Sequence, residues 1–65
     1  MLTEYTITFT KGTHSHSFIQ CIYTLYTRYY DSTTKCEITR QTFTDRCKSY
    51  ETKGYTRTII KTKEC

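Results

Sequence analysis

The sequence contains no alanine, valine, asparagine, proline or tryptophan among its 65 residues. Its hydrophobic core must therefore come from isoleucine, phenylalanine, tyrosine, leucine and cysteine. A chain this short buries only about 60% of the surface that it exposes when unfolded, so the core is expected to be thin. Domains below roughly 70–80 residues usually need disulfides, a metal or a partner subunit as well. We expect one small domain that spans 1–65.

The sequence also has few glycines, and its four cysteines are irregularly spaced. Gly12 and Gly54 are the only glycines, too few and too far apart for a loop that cradles phosphate. The cysteines form no Cys-x-x-Cys pair, which argues against a structural zinc site. The acidic residues are scattered and form no acid/base pair. We therefore expect no enzyme activity, no cofactor and no metal. Four cysteines allow three disulfide pairings, and the sequence leaves their oxidation state open: Cys21, Cys36, Cys47 and Cys65.

No targeting pattern is visible. The first residues lack the basic segment and apolar run of a secretory signal. The chain also lacks the stretch of about 20 mostly apolar residues that a spanning helix needs, so no membrane contact is expected. We expect a cytoplasmic protein, in the host cytoplasm if it is viral, where reducing conditions disfavour disulfides. A secreted peptide stapled by disulfides, with its signal removed, is a weaker alternative.

Threonine and tyrosine are abundant, with 16 and 7 residues, and both types favour strands. In Glu4–Thr10, Tyr5, Ile7 and Phe9 alternate with threonines, which predicts a strand with one apolar face. Gly12 follows and is expected to end this strand in a turn.

The segment Ser17–Tyr30 carries two conflicting signals. Its residue types favour a strand, whereas its apolar residues recur at helical intervals. The spacing extends over fourteen residues, so we predict an amphipathic helix that Ser15 or Ser17 caps. Its apolar stripe comprises Phe18, Cys21, Ile22, Leu25 and Tyr29.

The remaining sequence predicts three strands. These are Lys35–Phe43, Cys47–Thr52 and Tyr55–Thr62, with a tight turn at Lys53–Gly54 between the last two. The predicted fold is α+β, with one amphipathic helix packed on a small, mainly antiparallel sheet of about four strands, in the order β-α-β-β-β. If the middle segment is a strand instead, the alternative is a small all-β barrel.

Basic and aromatic residues interleave in two places, the end of the predicted helix and the last predicted hairpin. The net charge of +4 suits an acidic partner, although it is also ordinary for a soluble small domain. Tyrosine and arginine dominate protein–protein hot spots. Exposed aromatic rings beside cations also form stacking surfaces for single-stranded nucleic acid. The candidate binding residues are Arg28, Tyr30, Lys48, Tyr50, Tyr55 and Arg57.

In size and composition the chain resembles the small basic proteins encoded by viruses and phages, many of which bind and block a host enzyme or defence complex. We therefore expect a non-catalytic inhibitor or regulator that binds an acidic surface of a host protein. The alternative is a basic nucleic-acid-binding module that uses a Tyr/Arg/Lys face of the sheet.

We also expect a homodimer. Ile59 and Ile60 are adjacent, so they point to opposite sheet faces and only one can enter the core. No proline blocks this last strand, which could pair with a second copy across a two-fold axis. Lys61 and Lys63 argue against such pairing, because lysines often protect sheet edges.

Overall fold

A computed structural model describes residues 2–64 of the chain. Within this range the elements are β1 (Leu2–Lys11), β2 (His14–Tyr23), β3 (Thr27–Asp31), β4 (Glu37–Ile38), α1 (Arg40–Thr52) and β5 (Thr56–Glu64). The strands form one antiparallel sheet in the spatial order β4-β3-β2-β1-β5, with α1 on one face. The predicted fold class, one helix on a small antiparallel sheet, is confirmed. The sheet stays open, so the all-β barrel is wrong, and five strands replace the predicted four.

The strand predicted at Glu4–Thr10 is confirmed as β1. Its alternation places Ile7 and Phe9 on the face that α1 covers, where both are buried. β1 pairs with β2 along its whole length through the two-residue loop at positions 12 and 13. Gly12 has φ +61° at the first loop position, where a type II′ turn requires glycine.

The helix predicted at Ser17–Tyr30 is wrong. This segment forms β2 and β3, joined by a tight turn in which the Tyr23 amide donates to the Tyr26 carbonyl at 2.8 Å. Phe18 is fully buried under α1, but Leu25 lies in the turn and is 90% exposed. Because apolar residues occur on both faces of β2, their spacing fitted a helix as well as a strand. Pairing with β1 and β3 satisfies the backbone of this segment and decides for the strand.

The helix instead occupies the region where two strands and a turn were predicted, at Lys35–Phe43, 44–46 and Cys47–Thr52. The order β-α-β-β-β is therefore wrong, and the observed order is β-β-β-β-α-β. Thr39 caps α1 because its Oγ1 accepts a hydrogen bond from the Thr42 amide at 3.1 Å. The residues of α1 that pack on the core follow helical spacing: Phe43, Cys47 and Tyr50.

The predicted hairpin turn at Lys53–Gly54 is the C-terminal cap of α1. The Gly54 amide donates to the Glu51 carbonyl at 3.1 Å, and the Tyr55 amide donates to the Tyr50 carbonyl at 3.0 Å. This is the Schellman arrangement, which places Gly54 in the left-handed region with φ +88°. Gly54 therefore ends a helix, where a hairpin turn between two strands was predicted.

The strand predicted at Tyr55–Thr62 is confirmed as β5, with bounds shifted to Thr56–Glu64. It returns antiparallel to β1 and forms one edge of the sheet. Tyr50, which was expected in the strand Cys47–Thr52 before this one, belongs to α1 instead. Arg57 lies opposite Phe9 in the sheet.

The sheet has two unequal faces. The covered face holds α1 over a core of three buried residues, Ile7, Phe9 and Phe18. The other face, called the open face below, has no helix over it within residues 2–64. Threonine and serine hydroxyls populate much of the open face, and Thr8 Oγ1 lies 2.9 Å from Ser17 Oγ. A single thin layer of apolar contacts therefore holds helix and sheet together.

Candidate functional site

The single helix α1 is too narrow to span the full width of the covered face. Strands lie about 4.8 Å apart, so five of them span roughly 19 Å, whereas a helix is about 10 Å wide. Aromatic contacts place α1 over β3, β2 and the Phe9 end of β1: Phe43 stacks on Tyr29 with ring centroids 4.5 Å apart, and Tyr50 stacks on Phe9. β5 is left uncovered beside the helix.

An apolar groove results between α1 and β5, with a volume of about 450 Å³. Ile7 and Ile59, which are directly paired between β1 and β5, form its floor. Phe43 and Cys47 of α1 form the wall. Ile59 is 53% exposed, so the floor itself is open to solvent on the β5 side. We call this feature the groove.

Charged side chains stand at the rim of the groove. Arg57 Nη1 lies 3.5 Å from Glu51 Oε1, which partly neutralises both. Lys48 lies one turn before Glu51 on α1 and also lines the groove. It makes no ion pair within residues 2–64. Lys61 follows Ile59 on the same face of β5 and is paired with Glu64 at 3.2 Å. The rim therefore has an excess of positive charge around an apolar floor.

Tyr50 and Tyr55 lie behind this wall in a cluster of aromatic rings. Tyr50 stacks on Phe9 at 5.1 Å between ring centroids, and Tyr55 packs edge-on against Tyr50 at 4.9 Å. Burial raises the pKa of the Tyr50 phenol, and the nearby Tyr55 acts in the same direction. Tyr50 and Tyr55, both predicted binding residues, therefore pack in the contact between α1 and the sheet.

Arg28 and Tyr30 lie far from the groove, on the open face of β3. Arg28 stacks over the Tyr26 ring at 5.2 Å and approaches Glu37 to 3.9 Å. Arg28 also lines a second, more polar cleft of about 400 Å³, together with Glu37 and Arg40. The six predicted residues thus divide into three places, and the single Tyr/Arg/Lys sheet face expected from the sequence does not form. Two of them, Lys48 and Arg57, line the groove.

A buried polar cluster lies beside the Tyr50 ring and includes His16, which was not among the candidate binding residues. His16 lies in β2 and stacks against Tyr50, with ring centroids 5.7 Å apart. Its Nε2 is 3.2 Å from Asp31 Oδ1, although no hydrogen bond of good geometry joins them. Asp31 also accepts 2.8 Å and 3.1 Å hydrogen bonds from the Thr33 amide and from Arg46. Asp31 is the last residue of β3 and precedes the turn that contains Thr33.

Asp31 is 4% exposed, and its surroundings favour the ionised form. Burial raises the pKa of this carboxyl, but hydrogen bonds from the Thr33 and Thr34 amides and the nearby His16 outweigh burial and lower the pKa below its ordinary value. Because His16 of β2 and Arg46 of α1 both contact this carboxylate of β3, the cluster links the three elements.

The described cysteines lie apart from one another. Cys21, Cys36 and Cys47 carry free thiols, and Cys65 lies outside the described residues. Burial raises the pKa of the Cys47 thiol in the groove wall, and the nearby Glu51 adds to this effect. In the described part of the chain, no three His, Cys, Asp or Glu side chains come together in a way that could hold a metal ion.

No helix within residues 2–64 is long and apolar enough to cross a membrane, since α1 has only 13 residues.

The groove is the feature of the described surface that best combines an apolar floor with charge at its rim. Comparison with protein family models, curated proteins and solved structures finds no match to this chain.

Proposed function

We propose that the protein is a small non-catalytic binding protein whose groove receives an acidic, amphipathic segment of a partner protein. The observation that supports this most is the exposed floor at Ile59 beside Lys48, a cation with no ion-pair partner within residues 2–64. An amphipathic helix would place apolar side chains on Ile7 and Ile59 and carboxylates near Lys48 and Arg57. Such a helix would lie beside α1 and cover the part of the sheet that α1 leaves exposed.

A macromolecular partner suits this groove better than a small metabolite does. Small-molecule sites typically enclose most of the ligand surface and present several converging polar groups. Here the floor is half exposed along β5, and the rim offers mainly Lys48 together with the Arg57–Glu51 pair. A groove of this shape fits two or three side chains from a larger surface.

The biological role that we propose is inhibition or regulation of a host protein, of the kind performed by small virus- and phage-encoded proteins. The support is the small, basic chain with net charge +4 and the exposed apolar groove beside its helix. We place this role in the cytoplasm, where the free thiols of Cys21, Cys36 and Cys47 would persist.

The alternative nucleic-acid function has less support. A stacking surface needs rings that are free to accept bases. Tyr50 is instead stacked on Phe9, and Tyr55 packs against Tyr50. Of the predicted residues, only Arg28 and Tyr30 remain on an open sheet face.

Amide NMR spectra test the proposal with three synthetic probes. The probes are an amphipathic helical peptide of leucine and glutamate, its leucine–lysine counterpart, and a mixed-sequence single-stranded oligonucleotide. We expect the acidic peptide to shift the amides around Ile7, Cys47 and Ile59, and we expect the basic peptide to leave them unchanged. Equal effects of the two peptides would contradict charge selection at the rim. Saturable binding of the oligonucleotide alone would favour the nucleic-acid function.

The chain supplies a matched control for this test. Ile59 and Ile60 are adjacent and almost equally exposed, at 53% and 55%, yet they point to opposite faces of β5. Ile59→Asp should weaken binding of the acidic peptide by about tenfold or more, because a central apolar anchor contributes about 1–2 kcal/mol. Ile60→Asp should bind as the parent does. Equal loss in both variants would show that the groove is not the site.

A further inference from the structure

β5 forms an open edge of the sheet, and its two lysines, Lys61 and Lys63, lie in its C-terminal half. It is nine residues long, and every one of those residues is exposed. β5 pairs only with β1 within residues 2–64, so its outer row of N–H and C=O groups has no strand beside it. Ile59 and Ile60 expose apolar surface on both of its faces. A long edge with apolar residues is a template for pairing with another strand.

Two features restrict how this edge can pair. The β1–β5 register shifts between Glu4 and Tyr5, so that Tyr5 lies opposite Lys61 whereas Glu4 lies opposite Lys63. The extra residue at Thr62 is a bulge, which interrupts regular pairing beyond Lys61. The regular part of the edge is therefore Thr56–Lys61.

We propose that β5 pairs with β5 of a second copy across a two-fold axis at Thr58, which joins the two sheets into one. In a two-fold antiparallel pair, the central residue lies opposite itself and its neighbours pair at equal distances on either side. The Thr58 register places Arg57 opposite the second copy's Ile59, and Thr56 opposite its Ile60. This pairing uses the regular part of the edge and leaves the bulge outside it.

The charges on β5 select this register over its neighbours. A register centred on Ile59 would place Arg57 opposite the second copy's Lys61, and one centred on Ile60 would place Arg57 opposite its Lys63. Like charges directly opposite each other destabilise a strand pair. In the Thr58 register the aliphatic part of Arg57 contacts the half-exposed Ile59 of the other copy at the sheet edge, and the side of Ile59 that faces the groove stays open. Each copy thus covers apolar surface of the other.

The dimer has a consequence for the proposed binding surface, although it does not depend on that proposal. A two-fold axis perpendicular to the sheet keeps both helices on the same side. The two grooves then lie next to each other across the β5–β5 junction, with Ile59 of each copy near the centre. One elongated partner could contact both grooves.

Sedimentation equilibrium over a range of protein concentrations tests the dimer. We expect the mass to rise with concentration towards twice the 7.8 kDa of one chain. Thr58→Lys places two ammonium groups opposite each other at the axis and should hold the protein at the mass of one chain. Thr10→Lys is the matched control, since Thr10 is exposed on the same face of the neighbouring strand β1 and should leave the dimer intact.

A well-dispersed amide NMR spectrum of each variant verifies that both are folded. A parent mass of one chain at every concentration would overturn the proposal, as would dimers of equal strength in both variants. Cross-linking tests the register directly in a variant whose four native cysteines are replaced by serine. Thr58→Cys should then form an intermolecular disulfide more readily than Ile60→Cys, and the reverse order would overturn the Thr58 register.

Discussion

Arg46 donates a hydrogen bond of 3.1 Å from Nη1 to Oδ2 of Asp31, and this pair joins α1 to β3. The two side chains differ in environment, since Asp31 is buried and Arg46 is half exposed. Asp31 also shapes the turn after β3 by accepting from the Thr33 amide. A single carboxylate therefore orders the turn and anchors the helix above it.

Removal of the Asp31 charge should destabilise the protein. Asp31→Asn keeps the size of the side chain but removes the charge-assisted bond to Arg46, so the free energy of unfolding should fall by about 1–3 kcal/mol. Asp45→Asn is the control, because within residues 2–64 the Asp45 side chain accepts hydrogen bonds from Gln41 alone, on the exposed side of α1. That change should stay within about 0.5 kcal/mol. Urea denaturation measures both, and equal losses would contradict the anchoring role of Asp31.

Stability should also fall in acid because of Asp31. Its pKa in the folded protein is below the ordinary value of 3.8, so the unfolded chain takes up the proton first as the pH falls. The stabilisation is complete above that ordinary value and is lost as the pH falls through the lower folded pKa. The difference in unfolding free energy between the parent and Asp31→Asn should therefore shrink below about pH 4. A difference that stays constant down to strong acid would contradict this assignment.

Phe18 and Leu25 distinguish the observed strands from the predicted helix. A helix over Ser17–Tyr30 would bury Leu25, and Leu25→Ala would then cost about 2–5 kcal/mol. In the structure Leu25 is 90% exposed, so this change should stay within about 0.5 kcal/mol. Phe18→Ala should cost about 3–5 kcal/mol, because the ring is fully buried. Thermal melting of both variants tests the arrangement, and a strongly destabilised Leu25→Ala would contradict it.

Thiol labelling should follow burial. Cys36 is exposed, whereas burial raises the pKa of the Cys21 and Cys47 thiols and so reduces their reactive thiolate. In a Cys65→Ser variant, iodoacetamide should modify Cys36 first, as followed by mass spectrometry of the digested protein. Faster labelling of Cys47 would show that the groove wall is more open than described.

The strand signals at the two ends of the chain led to correct assignments, whereas the helix was assigned to the wrong segment. In Glu4–Thr10 of β1 only one face is apolar, so the alternation of Ile7 and Phe9 has a single interpretation. β2 has apolar residues on both faces, and its periodicity cannot separate a strand from a helix. The helical spacing of Phe43, Cys47 and Tyr50 and the Thr39 cap were visible in the sequence. The abundance of threonine in that region obscured them, because threonine favours strands.

The candidate site could be predicted only in part. Lys48 and Arg57 were predicted as binding residues from their basic and aromatic neighbours, and both line the groove. The groove itself depends on where α1 lies on the sheet, and that position is set by long-range ring contacts such as Phe43 with Tyr29. Tyr50 was expected in a strand, whereas its helical position turns the ring onto Phe9. Sequence spacing carries no information on such contacts between distant elements.

The most direct test of the proposed function compares Ile59→Asp with Ile60→Asp on the protein's native partner. Parent and variants serve as equal amounts of bait in nuclease-treated extract of the native source, and quantitative mass spectrometry follows one captured protein across all three. We predict that the parent and Ile60→Asp retain that protein and that Ile59→Asp loses it, because only Ile59 lies in the groove. Retention by Ile59→Asp, or equal loss in both variants, would contradict the assignment of the groove as the binding site.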